Sequence, residues 1–326
     1  MHTIMARNVS EALFLGKQLI ESSGVEVESR AGKTLELPRP CGTTYFHPRE
    51  RVLFYPQRDA NPFFHCLESF WMLSGRNDVK WLVQFNKKMA EYSTDGNTFW
   101  GAYGHRWRRW FDEDQLETVV YRLKNFPNDR RTVLGIWDVI CDLTKVNEQK
   151  DIPCNTHVYF KVRDKKLNMT VCCRSNDMIW GAYGANAVHF SFLQEYIAAR
   201  VGVEVGIYTQ VSDSFHAYVE VLEKLNGLQP DYDPYLTLGK NGKHFIPKPL
   251  VDDPSTFDHE LHIFMLDEEA NYPYKNSYFN EVLEPMRRAH LWWRLDDKLR
   301  AIKYAEEITA DDWRKACVEW MERRLK

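Results

Sequence analysis

Asp151-Ile152-Pro153-Cys154-Asn155 opens the stretch whose reading decides the fold, and that stretch runs on to Tyr218. Thr156 to Val162 and Leu167 to Cys173 follow, each with strand-like alternation of apolar and polar residues, which predicts half-buried strands. They lead into Arg174-Ser175-Asn176-Asp177 and then Gly181-Ala182-Tyr183-Gly184-Ala185-Asn186. A helical run carries on from Ala187, and the stretch closes on Asp213-Ser214-Phe215-His216-Ala217-Tyr218. A thiol, a guanidinium, a carboxylate, a carboxamide and an imidazole therefore stand in short polar clusters between apolar segments. A rigid scaffold delivers a catalytic set to one pocket in this way.

Around that stretch the chain has 326 residues, 44% hydrophobic and 14% aromatic, enough to bury a large core without staples. No internal repeat and no clean linker divides it, so a single domain over residues 1–326 is expected. The net charge of -3 argues against a nucleic-acid protein driven by overall charge. No apolar run approaches the ~20 residues that span a bilayer, and Met1 to Ala6 lacks the apolar core of a signal peptide. The 7 cysteines (41, 66, 141, 154, 172, 173 and 317) are odd in number and show no CxxC spacing. Reduced thiols in a cytoplasmic protein without a metal are the expectation.

Towards the N-terminus, Asn8 to Ser22 has apolar residues at helical spacing, with Asn8 as N-cap and Gly24 as stop. Glu28 to Thr34 reads as a polar loop with two cations that can wrap an anion. Pro62 to Leu73 reads as a buried helix carrying Glu68, a carboxylate either paired structurally or held for proton transfer. Ser93 to Asn97 is turn chemistry. Gly101 to Trp110 interleaves basic and aromatic residues, which suits either base stacking or arginines packed on buried rings. Leu116 to Asn125 is a short helix, and Asp129-Arg130-Arg131 precedes a strand candidate from Thr132 to Trp137. Beyond the decisive stretch, residues 227–254 read as connection and Leu261 to Leu266 as a late strand. From about residue 280 to the end the pattern is helical and charged.

The ordered series of an arginine loop, a buried glutamate, Tyr-Gly-x-x-Trp, Asp-Arg-Arg, Pro-Cys, Arg-Ser-x-Asp and His-x-Tyr resembles the thymidylate synthase and deoxycytidylate hydroxymethylase superfamily. The likeness runs from about Val25 to Leu225. It implies an α/β (α+β) fold, a thymidylate synthase-like sandwich with a mixed sheet flanked by helices, and a sheet-mediated homodimer. It also implies a pyrimidine nucleoside monophosphate as substrate and methylenetetrahydrofolate as co-substrate. By the resemblance Cys154 is the nucleophile that adds to C6 of the base, with Tyr103 and Asn155 beside it and Glu68 organising proton transfer. Arg30, Arg130, Arg131, Arg174 and Ser175 match the phosphate set, Arg130 and Arg131 being lent to the neighbouring subunit. Asn186 matches the amide that reads the base, and His216 and Tyr218 the pair that holds the sugar. Asp177 matches the carboxylate under the folate ring. A cation such as Arg174 near Cys154 is expected to lower the thiol's pKa.

The chain departs from the family pattern at Asn155, where the synthases carry histidine. One extra residue lies between Gly181 and Asn186, so Ala185 is a rival for the base-reading position. Where the synthases place a tryptophan over the one-carbon site, this chain offers Met89, with Tyr92 close by. Its last residues, Met321 to Lys326, are charged and not apolar. A site without that aromatic and that lid is wetter, which favours capture of water over hydride by the C5 methylene. The expected product is therefore a 5-hydroxymethyl nucleotide, and Asn186 favours uridylate because the cytosine hydroxymethylases carry aspartate there. The alternatives are a thymidylate synthase proper, a cytidylate hydroxymethylase and, outside enzymes, a nucleic-acid-binding protein. The setting implied is the cytoplasm of a bacterium or of a virus-infected cell.

Overall fold

The computed structural model describes residues 1–145, 147–230, 233–238, 242–266 and 272–325. Of the expected 227–254 connection, residues 231–232 and 239–241 lie outside the described residues, as does Lys326 at the end of the tail.

The alternating segments after Cys154 become β6 (Asn155–Arg163) and β7 (Lys166–Asp177), antiparallel partners. Asp164 and Lys165 join them with φ of 51° and 59°, the left-handed pair that a two-residue hairpin turn of matching twist requires. β8 (Glu204–Tyr218) lies parallel to β7, reached through the Asn186–Val201 helix. Around this centre the mixed sheet of 8 strands is completed by β1 (His2–Ala6), β2 (Val25–Ser29), β3 (Gly32–Glu36), β4 (Cys41–Tyr45) and β5 (Val133–Gly135). Its main order is β1-β4-β8-β7-β6-β5, with the β2–β3 hairpin attached to the end of β8.

The Val9–Ser23 helix packs on β1, β3 and β4, and the Asn186–Val201 helix on β7 and β8. Val9–Ser23 is capped by Asn8 Oδ1, which accepts from Ser10 and Glu11 N–H, and it ends at Gly24 as read from the sequence. The Pro62–Leu73 helix is buried throughout and packs against Asn186–Val201. The short Tyr103–Arg108 helix presses so closely on it that a Cβ at Gly104 would lie 1.9 Å from the Met72 carbonyl oxygen. Tyr103 is thereby set at a fixed depth beside the helix that carries Glu68. Of the basic residues interleaved with rings here, Arg106 is fully buried, paired with Asp142 at 2.8 Å and lying 3.7 Å over the Trp110 ring. Arg108 binds Asp114 and Asp258. These cations serve internal pairing.

Two sequence readings are corrected. Leu261 to Leu266 is not a strand; it lies in the Phe257–Met265 helix and its C-cap. Apart from His262 the run is apolar, and six residues are too few to tell a strand from a buried helical face. Phe257, Leu261, Phe264 and Met265, all buried, fall on one helical side. Glu28 to Thr34 is likewise not an open loop but the β2–β3 hairpin, with Arg30 and Ala31 at its turn. The helical tail (Glu284–Arg294, Lys298–Glu306 and Asp311–Glu322) returns to the same core. There Trp320 meets Phe63 at 5.5 Å, and Trp313 stacks on Phe192 at 6.1 Å.

Candidate functional site

β7 and β8 break step at the same level. Burial passes from Cys173 to Asn176 and from Ser212 to Phe215, with two less buried residues between in each strand. The breaks are in register, Cys173 opposite Ser212 and Asn176 opposite Phe215. Paired irregularities of this kind re-aim side chains without ending the sheet. Here they release Arg174-Ser175 and Asp213-Ser214 together.

Ser175 and Ser214 then line a cavity of about 460 Å³ with Arg30, Lys150, His216 and Tyr218. β3 pairs Thr34 with Tyr218 and Glu36 with His216, which hangs the Arg30 turn over this cavity. Ser214 Oγ and His216 Nδ1 are 3.2 Å apart. Arg30, Ser175, His216 and Tyr218, assigned from sequence to phosphate and sugar, are thus brought together. Lys150 and Ser214 join them with no periodic signal to mark them. Arg174 does not line the cavity. Its Nε donates to the Pro153 carbonyl at 2.9 Å and its Nη2 to the Ile152 carbonyl at 3.0 Å. Arg130 and Arg131 are also absent from the lining; both are exposed at the entrance to β5, and Arg131 Nε donates to Asp129 at 2.9 Å.

Cys154 stands where β6 begins, beside a register shift between Asn155 and His157. Its Sγ is 4.0 Å from Arg174 Nη2. Burial nevertheless pushes the thiol above the ordinary cysteine range; Arg174 opposes this and Asp151 adds to it. The expectation of a lowered thiol is corrected: desolvation outweighs one guanidinium. The Asp151 carboxyl is itself raised to about 6 by burial, although the Gly101 N–H donates to it at 3.0 Å. The Tyr103 hydroxyl bonds Asn155 and lies near Cys154, and burial holds it well above the usual phenol range.

Glu68 Oε2 lies 3.0 Å from His189 Nε2, one turn along the helix that Asn186 begins. The two atoms are out of line for a hydrogen bond, and neither has another partner among the described residues. A buried acceptor left open is a place for water or substrate. His189 was missed from sequence because it sits inside an apolar helical run.

Behind Cys154 four buried carboxamides join hands. Asn155 Nδ2 donates to Asn186 Oδ1 and Asn186 Nδ2 to Asn176 Oδ1, both at 3.0 Å. Asn176 Nδ2 donates to Gln210 Oε1 at 3.0 Å and to Ser212 Oγ at 2.9 Å. Gln210 Nε2 donates to Tyr45 Oη at 3.0 Å and to the Ala182 carbonyl at 2.9 Å. Asn186 is the polar residue in this chain; its rival Ala185 brings only a methyl group.

Asp177 Oδ1 accepts from the Ile179 and Trp180 N–H groups and so fixes the turn after β7. Its Oδ2 is buried with no partner among the described residues, and burial raises this carboxyl against the pull of Trp180 N–H, His216 and Arg58. The Arg58 guanidinium lies 4.4 Å over the Trp180 ring nearby. Met89 packs on the core from the short Lys87–Tyr92 turn, while Tyr92 is 54% exposed, and neither lines the cavity. In the charged tail, Arg323 and Arg324 bind Asp59, next to Arg58, at 3.1 Å and 2.5 Å. Among the described residues no group of three His, Cys, Asp or Glu could hold a metal ion, and no helix is long and apolar enough to cross a membrane.

Comparison with known proteins adds a family and several relatives. A family model for thymidylate synthase matches residues 58–252. The deoxyuridylate hydroxymethyltransferase of Pseudomonas phage M6 is 44% identical over 99% of this chain and 95% of its own. The protein of the same description from Bacillus phage SP01 is 39% identical over 60% of this chain and 53% of its own. A putative thymidylate synthase from Methanosarcina mazei is 33% identical over 66% of this chain and 88% of its own.

Proposed function

The chain belongs to the thymidylate synthase family, and from that premise we propose that it adds a hydroxymethyl group to C5 of deoxyuridylate. The observation that carries this is the Cys154 thiol standing next to Asn155, whose amide bonds Asn186, and 4.0 Å from Arg174, the chain neighbour of Ser175 in the polar cavity under Arg30. Similarity along the full length of a deoxyuridylate hydroxymethyltransferase supports the choice of product and base.

Cys154, as thiolate, forms a bond to C6 of the base and leaves C5 nucleophilic. A phosphate dianion held by Arg30, Ser175 and Lys150 brings the ring to it, and the ribosyl hydroxyl meets His216 and Tyr218. Asn186 accepts from N3–H and donates to O4. Glu68 and Tyr103 hold the water and protons that C5 must exchange. Methylenetetrahydrofolate, the family's co-substrate, supplies the carbon; the open Oδ2 of Asp177 is the acceptor that fits its ring N–H. Once the C5 proton is lost and tetrahydrofolate has left, water adds to the C5 methylene as hydroxyl, and the C4 enolate so formed re-forms the C5–C6 double bond and expels the Cys154 thiolate. A charged tail bonded to Asp59, with no apolar lid, leaves water in reach.

The reading includes a homodimer built on the sheet face turned away from the helices. One transverse row, Met5-Thr44-Thr209-Thr170-Tyr159-Val133, crosses six strands in register, and Met5, Tyr159 and Val133 are 53%, 44% and 41% exposed. Residues opposite one another share a face. The pair would bring Arg130 and Arg131 of one subunit to the other's cavity, in the cytoplasm of an infected or bacterial cell.

The test incubates the protein with methylenetetrahydrofolate and, in turn, dUMP, dCMP, UMP and CMP. Mass spectrometry follows the nucleotide and absorbance follows dihydrofolate. A 5-hydroxymethyl product from dUMP without dihydrofolate is expected. A methyl product with matching dihydrofolate would overturn it in favour of a synthase.

A further inference from the structure

The amide chain behind Asn186 has a direction, and one atom sets it. A carboxamide donates at one end and accepts at the other, and turning it over exchanges the two. A row of four could therefore run either way, as far as its own hydrogen bonds are concerned. The row ends, however, on the Ala182 carbonyl, a backbone acceptor that cannot turn or donate. The Tyr45 hydroxyl already donates to that same oxygen at 3.0 Å, which leaves Tyr45 Oη to accept from Gln210. Gln210 must present Nε2 there and hence Oε1 to Asn176. Asn176 must then give its Nδ2 to Gln210 and its Oδ1 to Asn186. At the opposite end the row meets the Cys173 thiol and the Tyr103 hydroxyl, rotors that accept or donate as needed. Only the Ala182 end is rigid.

The row is dry. Asn155, Asn176, Asn186 and Gln210 are 0%, 1%, 6% and 1% exposed. Water cannot step in to satisfy a reversed amide, so opposing two acceptors there is costly. Gly181 keeps the contact tight: a Cβ on it would lie 2.6 Å from Asn176 Oδ1 and 3.4 Å from Asn186 Nδ2. Asn186 is left with a free lone pair on Oδ1 and a free N–H on Nδ2. That pattern matches N3–H and O4 of uracil. Cytosine, with an acceptor at N3 and a donor at N4, needs Asn186 turned over.

We propose that Asn176 and Gln210 are positioning residues that select uracil over cytosine, by passing the polarity of the Ala182 carbonyl to Asn186. This rests on the reading that Asn186 faces the base of a pyrimidine nucleotide.

The experiment measures dissociation constants of the full chain for dUMP and dCMP by calorimetry, with kcat/KM beside them. Asn176→Ser replaces the amide with a shorter hydroxyl that donates or accepts equally, so it removes the direction that Asn176 imposes on Asn186. Gln210→Met removes the anchor. Each is expected to cut the preference for dUMP over dCMP by roughly tenfold or more, with the affinity for inorganic phosphate unchanged. Asn176→Asp, protonated in so buried a place, still offers one acceptor and one donor and keeps the preference. Should Gln210→Met fail to fold, as thermal melting will reveal, Asn176→Ser decides alone. A wild-type protein that prefers dUMP with variants that lose both nucleotides in parallel, or keep the ratio, overturns the inference and spares the uracil reading. A wild type with no preference for dUMP sinks both.

Discussion

The carboxamides assigned to the base are buried and bonded to one another, whereas the arginines assigned to the phosphate lie on the surface or bind something else. Asn155 and Gln210 are 0% and 1% exposed, while the Arg131 side chain is 83% exposed and Arg174 is folded back on backbone carbonyls. Neutral amides can be packed side by side because each satisfies the next. Guanidinium groups repel, and they stay apart until a dianion or a second subunit gives them a reason to converge. On the proposed reading, one chain finishes the part that reads the base, and a second subunit would complete the part that neutralises the phosphate.

That contrast separates two kinds of variant. Arg130→Ala with Arg131→Ala should weaken dUMP and dCMP alike, by roughly 100-fold, as expected for two charge-assisted contacts. The loss should shrink as salt rises, and the dUMP/dCMP ratio should stay put. Mixing this variant with Cys154→Ser should restore activity if the arginines cross a dimer interface. No recovery in mixed dimers, or a changed base ratio, breaks the division between the two ends.

Asn186→Asp tests the other end and should do the reverse. Turnover of dUMP is expected to fall by about ten- to hundredfold, because a buried acid whose single O–H goes to Asn176 Oδ1 has no donor left for O4, while dCMP gains. Inorganic phosphate should compete as well as before. An equal loss for both nucleotides would mean that Asn186 holds the fold and does not read the base.

How much of this the sequence discloses follows the same contrast. The two strands after Cys154 are legible because period-two alternation is a local signal, and so is the Asn8 cap. The Phe257–Met265 helix is not, since Leu261 to Leu266, apolar but for His262, is too short a run to show a period. Arg130-Arg131 and Arg174-Ser175 stand out as charged motifs, yet where each guanidinium points depends on which carbonyls come near in the fold. The amide row is hidden altogether. Asn155, Asn176, Asn186 and Gln210 come from separate elements, and only the pairing of β6, β7 and β8 with the Asn186–Val201 helix packed on them makes them neighbours. The direction of the thiol's shift is hidden for a related reason: a nearby cation is visible in sequence, and the depth of burial is not.

The smallest effect lies where the two ends meet, at Cys154. Its thiol is raised by burial, lowered by Arg174 and raised by Asp151. Only the thiolate is alkylated, so iodoacetamide reactivity should keep climbing above the pH at which an ordinary cysteine levels off. Arg174→Gln removes the favourable charge and should slow alkylation by several-fold wherever the thiolate is scarce. Asp151→Asn removes a charge that exists only above about pH 6, where this raised carboxyl ionises. It should therefore speed alkylation by several-fold at about pH 8 and do nothing below about pH 5, where the wild-type carboxyl is already neutral. Asparagine can still accept from the Gly101 N–H, so the backbone there has no cause to move. An acceleration that persists unchanged at low pH would mean that Asp151 acts on Cys154 through packing and not through charge.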